Sequence, residues 1–464
     1  MTVRPNSIAS RDVAYVVHAY TNLRRHEQDG PMMITRGEGI RVYDENGKEY
    51  IEGLAGLWCA GLGFSEKRLV KAATEQMEKL PFYHTFASKA NEPTALLAEK
   101  LVSHLPKPLA KVFFANSGSE ANDSAVKMVW YYNNALGRPE KKKIISRQKG
   151  YHGVTIAAAS LTGLAYAQTD FDLPIKNIIH TGCPHHYRFA EPGESEEAFA
   201  QRRAKELEDM ILAEGPETVA AFIGEPVMGA GGVIVPPKGY WEAVQKVCRK
   251  YDVLVICDEV ICGFGRTGNW FGANTFNIVP DIMTMAKQLS AAYLPISAVA
   301  ISQKVYDVIA DNSNKRATFG HGYTYSAHPV PAAVALETLK IYEERDIVSH
   351  VRRVGPYMQE QLGKRFANHP LVGEVRGVGL IAAIEMVADK KSRALFDPAG
   401  KVGAYIAARA TEHGLIVRPL VDAIGFCPPM IITEQEIDQM LDRFAKALDD
   451  GLAFAKSEGL AKAA

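Results

Sequence analysis

The chain has 464 residues, of which 23% are charged and 47% hydrophobic, with Lys+Arg 53 balanced against Asp+Glu 53. That balance excludes a disordered chain, a coiled coil and recognition of nucleic acid through net charge, so any binding has to be local. A single core stops growing at roughly 250–300 residues, so one large domain or two to three ordinary ones are expected.

At the amino terminus, MTVRPNSIAS has neither an apolar h-region nor a cleavage pattern, which predicts a cytoplasmic protein. No run approaches ~20 uninterrupted apolar residues, and the stretch through Phe222 is broken by Glu225 and Pro226, so no membrane span is expected. Cys59, Cys183, Cys248, Cys257, Cys262 and Cys427 are scattered, several within apolar runs, as reduced intracellular thiols would be. Asn46–Gly47 between RVYDE and KEYIE predicts a hairpin.

From about Leu80 to Ser302 short apolar runs alternate with helical stretches: KVFFA (111–115), KIIS (143–146), AAFIG (220–224), VLVIC (253–257), DIMTM (281–285) and ISAVAIS (296–302). This pattern predicts βαβ units and a mostly parallel sheet. In the helix after KVFFA, Ser117 and Glu120 have the form of a capping box. Ala121, Ala125, Met128 and Tyr132 follow at helical spacing, and Gly137 with Pro139 closes the helix. The basic run Lys141–Lys143 is expected to be solvated. Beyond about Thr338 come amphipathic helices, the strand-like EVRGVGLIAAIEM and LIVRPL…GFCPPMIIT, and a last helix from Glu434. The expected organisation is a large domain over 80–337 and a smaller α+β domain built from 1–79 and 338–464, with no internal repeat.

Ligands of open parallel sheets bind beyond the carboxyl ends of the strands. Polar residues directly after the apolar runs are Asn116-Ser-Gly-Ser-Glu, Tyr151-His-Gly, Glu225-Pro-Val, Asp258-Glu-Val and Lys287. They offer what pyridoxal 5'-phosphate (PLP) needs. Backbone N–H groups of Ser117, Gly118 and Ser119 at a helix N-terminus suit the phosphate, Asp258 suits the pyridine nitrogen, and Lys287 offers an amine to the aldehyde. Two other signals fall away. GFGRTG (263–268) matches G-x-G-x-x-G, but no helix follows it and no acidic residue stands about 20 positions on. Cys183, His185 and His186 in CPHH have no second cluster at zinc spacing, so no metal is expected.

The motifs GLWCAGLGF, FFANSGSEAND, GYHG, GEPVMGAGG, ICDEVICGFGRTG, PDIMTMAKQL and GYTYSAHPVPAA run over nearly the whole chain, which resembles the class III aminotransferases. The resemblance implies an α/β fold of the type I PLP-dependent transferases, with a large, mostly parallel sheet and a smaller α+β domain. It implies that Lys287 carries PLP as a Schiff base and moves a proton, that Asp258 partners the ring nitrogen, and that Val260 and Tyr151 cover the two ring faces. His152 lies beside Tyr151, Gly118 and Ser119 hold the phosphate, and Glu225 is a nearby carboxylate. Thr324 would reach the phosphate from a neighbouring subunit, so a homodimer or dimer of dimers with shared active sites is expected. Gln288 replaces the usual glycine after the lysine, and Ala327 the usual glycine of SGHP.

The omega or amine/β-alanine:pyruvate subgroup is the most similar. Leu57, Trp58, Phe86, Ala230 and Arg418 would then form the substrate pocket for an amine donor and a keto-acid acceptor. An aminomutase, racemase or decarboxylase on the same scaffold, and a PLP-binding protein without turnover, are the other readings.

Overall fold

The computed structural model describes residues 4–461. Its central seven-stranded sheet has the order Leu109–Ala115, Ser297–Ser302, Ile282–Met285, Leu254–Asp258, Val219–Gly224, Lys143–Arg147, Ile178–Thr181. All neighbouring pairs are parallel except those made by Ser297–Ser302, which is antiparallel to both of its neighbours. The six apolar runs are thus strands, and the sheet is mostly parallel as expected. Ile178–Thr181 is a seventh strand that the apolar pattern did not mark. Alternate side chains enter different cores: Val255 and Cys257 pack on one face, Leu254 and Ile256 on the other. Burial on both faces is why the strands read as continuous apolar runs rather than alternating ones.

Helix Gly118–Ala135 follows the first strand of this sheet, and Gly137 beyond it has φ +72°. Only half of the expected capping box forms. Ser117 Oγ accepts from Glu120 N at 3.2 Å, but the Glu120 carboxylate turns to Asn116, accepting from its backbone N at 2.7 Å and its side-chain amide at 2.9 Å. The expectation for Lys141 is also corrected. This residue is buried, and its ammonium donates to the carbonyls of Pro216 and Tyr251 at 3.0 and 3.2 Å, which compensates the burial.

The predicted hairpin joins Arg41–Asp44 to Glu49–Glu52. Asp44 Oδ1 accepts from Asn46 N and Lys48 N at 2.9 and 3.0 Å, and Gly47 takes φ +80°. Leu415–Ile416 adds to this sheet in parallel against Ile51 and Glu52, so both ends of the chain contribute to one sheet. A third sheet has the order Val372–Val378, Ile381–Met386, Ala423–Phe426, Arg418–Leu420. The boundary expected at 337 falls inside helix Pro329–Glu344. GFGRTG is a loop whose buried Arg266 donates to the carbonyls of Leu380 and Pro428 at 3.0 and 2.6 Å. Its glycines let an arginine tie the loop to the carboxy-terminal sheet, and no nucleotide is needed to explain them.

Candidate active site

The parallel strands end on one edge of the large sheet, and all five polar segments begin there. Asp258 closes strand Leu254–Asp258 and is 3% exposed. Its Oδ2 accepts from Asn122 Nδ2 at 2.9 Å and meets His152 Nδ1 at 2.8 Å, while Oδ1 accepts from Val260 N at 3.0 Å. Close by, the buried His152 Nε2, Asn122 Oδ1 and Thr284 Oγ1 lack partners.

Lys287 begins a short 3₁₀ turn just after strand Ile282–Met285, with φ +44°. A left-handed conformation in a residue with a Cβ costs roughly 1–2 kcal/mol and gathers at functional sites. Desolvation is the main cause that holds the lysine below its ordinary pKa, opposed first by the charge of Asp258. Gln288 donates to the carbonyl of Trp58 at 3.3 Å, and its own carbonyl accepts from Tyr342 Oη at 3.0 Å. The residue that departs from the usual glycine therefore fixes the turn on two sides. Ala327 has φ +57°, which explains why glycine is commoner at that position.

Gly118 and Ser119 open an 18-residue helix, whose first N–H groups have no intrahelical acceptors. A Cβ added at Gly118 would lie 3.2 Å from both Val260 methyls, so a side chain there would crowd the valine. Ser119 Oγ accepts from Val154 N at 3.0 Å, and a Cβ at Gly153 would collide with Ser119. The GYHG loop is thereby pressed onto the helix start.

Glu225 lies next to this loop. Its two oxygens accept from Tyr151 N at 3.0 Å and Gly229 N at 2.9 Å, and burial raises its pKa. Burial, then a 3.2 Å contact between its hydroxyl and that of Tyr20, raises the Tyr151 phenol. Arg418 acts in the opposite direction on both Tyr151 and Tyr166, so its charge is near this tyrosine cluster. It forms no salt bridge among the described residues.

The remaining expected pocket residues separate into two groups. Trp58 is 1% exposed, has φ +65°, and packs in a small core with Leu54, Ile261 and Cys427, whereas neighbouring Leu57 is 54% exposed. Ala230 sits in a turn whose Gly231 abuts Lys149, just before the GYHG loop. Phe86 and Thr324 are exposed and belong to a different grouping: a Cβ at Gly322 would lie 2.8 Å from the Phe86 ring, and Phe82 meets Tyr325 edge-on at 5.7 Å.

The model of the family "Aminotransferase class-III" matches residues 23–448. The chain belongs to this family. It is an aminotransferase of fold type I, and its cofactor is PLP. The chain is 59% identical to the omega transaminase from Pseudomonas jessenii in complex with PMP, with a TM-score of 0.95 and 97% and 99% of the two chains covered. It is 58% identical, with a TM-score of 0.96 and coverage of 97% and 100%, to a thermostable omega transaminase variant engineered for asymmetric synthesis of enantiopure bulky amines. It is also 53% identical over 421 residues to gamma aminobutyrate transaminase 3, chloroplastic, of Solanum lycopersicum, covering 90% of this chain and 81% of that one.

The side chains of this class-III aminotransferase fit the cofactor. Asp258 is a buried carboxylate with two side-chain neighbours and, among the described residues, no arginine or lysine partner, next to three unpartnered polar atoms. The glycine at 118 leaves open backbone against Val260 at a helix N-terminus. Sequence reasoning missed Asn122, which stands one helical turn after Gly118 and so had a periodic signal. It also missed Tyr20, which is 131 positions from Tyr151 and had none. No helix among the described residues is long and apolar enough to cross a membrane.

Proposed function

We propose that the enzyme takes an amino group from a carboxylate-free amine or an ω-amino acid and passes it to pyruvate or a similar keto acid. Lys287, Asp258 and Tyr151 are its catalytic residues in this reading. PLP, when bound, supplies an electron sink for the carbon that bears the amine. Asp258 keeps a negative charge at the ring nitrogen, and the helix start at Gly118 and Ser119 takes the phosphate. Val260 and Tyr151 enclose the ring, and His152 and Asn122 orient Asp258. Lys287 holds the cofactor at rest and, once released, carries a proton between donor carbon and cofactor. Burial lowers the pKa of its amine, which favours the neutral form that a base needs.

The observation that carries the substrate reading is Arg418, a guanidinium near Tyr151 with no salt bridge among the described residues. A free guanidinium can grip the carboxylate of a keto acid in bidentate fashion and move aside for an apolar group. Leu57, Phe86 and Ala230 supply apolar walls, and Trp58 is the buried residue that follows Leu57. The engineered relative for bulky amines carries replacements of a tryptophan, a phenylalanine and an arginine, the same residue types. A panel of γ-aminobutyrate, β-alanine and an aryl-alkyl amine against pyruvate and 2-oxoglutarate tests the reading. Alanine formation from pyruvate is expected. Transfer to 2-oxoglutarate alone, or donor racemised or decarboxylated without transfer, would overturn it.

Arg418→Ala should raise KM for pyruvate by an amount equivalent to about 2–4 kcal/mol while hardly slowing the half-reaction with a carboxylate-free amine. Single-turnover rates for each half-reaction check this. Equal damage to both halves would make Arg418 structural.

The active form in this reading is a homodimer or dimer of dimers. Exposed Thr324, grouped with Phe86 on an aromatic surface, supports a contribution of both residues to the neighbouring subunit's site. Thr324→Ala should cost about 1–3 kcal/mol in PLP affinity. Co-expressing Lys287→Ala with Thr324→Ala chains should restore one intact site per mixed dimer, read as wild-type cofactor retention in that fraction. Retention equal to the sum of the two homodimers would refute sharing. A cytoplasmic location belongs to the same proposal, supported by six unpaired thiols.

A further inference from the structure

Among the described residues, two groups of metal-ligand side chains lie outside the site described above: His185 with Glu374 and Glu385, and Asp12 with His18 and His26. The first is already neutralised. Arg376 pairs with both Glu374 and Glu385 at 2.7 Å, and Arg188 pairs with Glu385 at 2.7 Å, so a cation would meet two guanidinium groups. Among the described residues the second has no such competitor. Asp12 Oδ2 lies 2.7 Å from His18 Nε2 and 3.2 Å from His26 Nε2, and these are its only ion-pair contacts among the described residues. The nearby Arg24 and Arg25 are engaged with Glu27 and Asp29.

We propose that Asp12, His18 and His26 form a binding site for a divalent transition metal of the zinc type. Two imidazole nitrogens and one carboxylate oxygen are a donor set that zinc accepts, with bonds of about 2.0–2.2 Å and a fourth position left for water. Tetrahedral bonds of that length set ligands roughly 3.3–3.5 Å apart. To admit the ion, the 3.2 Å contact of Asp12 with His26 has to open by about 0.1–0.3 Å and the 2.7 Å contact with His18 by about 0.6–0.8 Å, within reach of side-chain rotation on lightly packed helices. The two rings are already close, with centroids 4.1 Å apart and planes tilted by 38°. Side-chain exposures of 19% for Asp12, 31% for His18 and 8% for His26 leave a route for the ion and room for the water.

The three ligands come from helix Ile8–Tyr15, from the connection after it, and from helix Leu23–Asp29, and neither helix buries any residue. With so little packing, these helices belong to the low-stability part of the chain, where a cross-link has most effect. Tyr20 stands between His18 and His26. Its hydroxyl lies 3.2 Å from that of Tyr151, and its ring meets Tyr166 edge-on at 5.8 Å. A bound metal therefore clamps the segment that lays Tyr20 against the active site. No CxxC or HExxH spacing announces the site, because the ligands are gathered by the path of the chain.

The test uses holoenzyme freed of metal by a chelator, desalted, and titrated with ZnCl2 by calorimetry, with the metal content measured after gel filtration. Trypsin cleavage at Arg24 and Arg25 is followed in parallel. Wild type should take up one zinc ion per chain, and zinc should slow cleavage in this segment. Losing even an outer partner of a metal ligand costs about 10–100-fold in affinity, so His18→Ala and Asp12→Asn should each weaken uptake by more than about tenfold and abolish the protection. Far-UV circular dichroism verifies that both variants are folded. No saturable uptake by wild type, in which case Asp12 only bridges two histidines, would overturn the proposal. So would uptake of unchanged affinity in both variants.

Discussion

Lys287→Ala is expected to abolish multiple turnover while leaving the chain folded and able to bind PLP through its phosphate. The lysine is held in a left-handed conformation directly after a buried strand, and its amine is desolvated beside Asp258. Positioned proton transfer is worth about 10²–10⁴-fold, and loss of the covalent anchor compounds its removal. Steady-state transfer above about a thousandth of wild type would refute the assignment. Far-UV circular dichroism of the variant checks that the fold is kept.

Asp258→Asn is expected to keep the fold and lower kcat by about a hundredfold or more, the scale seen when one preorganised electrostatic group is removed. The fold survives because the neighbours can readjust: His152 can move its proton from Nδ1 to the unpartnered Nε2, and Asn122 has a free Oδ1. The charge has no substitute. Both oxygens of Glu259 accept from Gly272 N and Ala273 N at 2.9 and 2.6 Å, and burial raises its pKa to about 7. Glu225 is committed to Tyr151 N and Gly229 N. Steady-state kinetics together with the absorption spectrum of the bound cofactor check this. An unchanged kcat would mean that one of those two carboxylates takes over the role.

Much of this architecture was legible because burial writes itself into composition. Strands such as Val219–Gly224, in which every residue is buried, had to be apolar throughout, and the chemistry-bearing residues had to follow them. Ile178–Thr181 escaped because a four-residue edge strand ending in His-Thr leaves no apolar run. The reversed direction of Ser297–Ser302 escaped because apolar composition carries no direction. Lys141 was misjudged because a lysine's burial depends on carbonyls, here those of Pro216 and Tyr251, that are distant in sequence. Within the candidate site, residues at strand ends were legible and residues gathered by tertiary contact were not. Trp58 could have lined a pocket or a core, and its position 1% exposed beside Leu54 and Cys427 was set by chain path. The grouping of Phe86 with Gly322 and the Tyr20–Tyr151 contact belong to the same class.

The most direct test of the account is to reduce the holoenzyme with borohydride, which fixes the cofactor to whichever amine it is bonded to, and to map the modified peptide by mass spectrometry. A single pyridoxyl modification, on Lys287, is expected. A modification on any other lysine, or none, would contradict it.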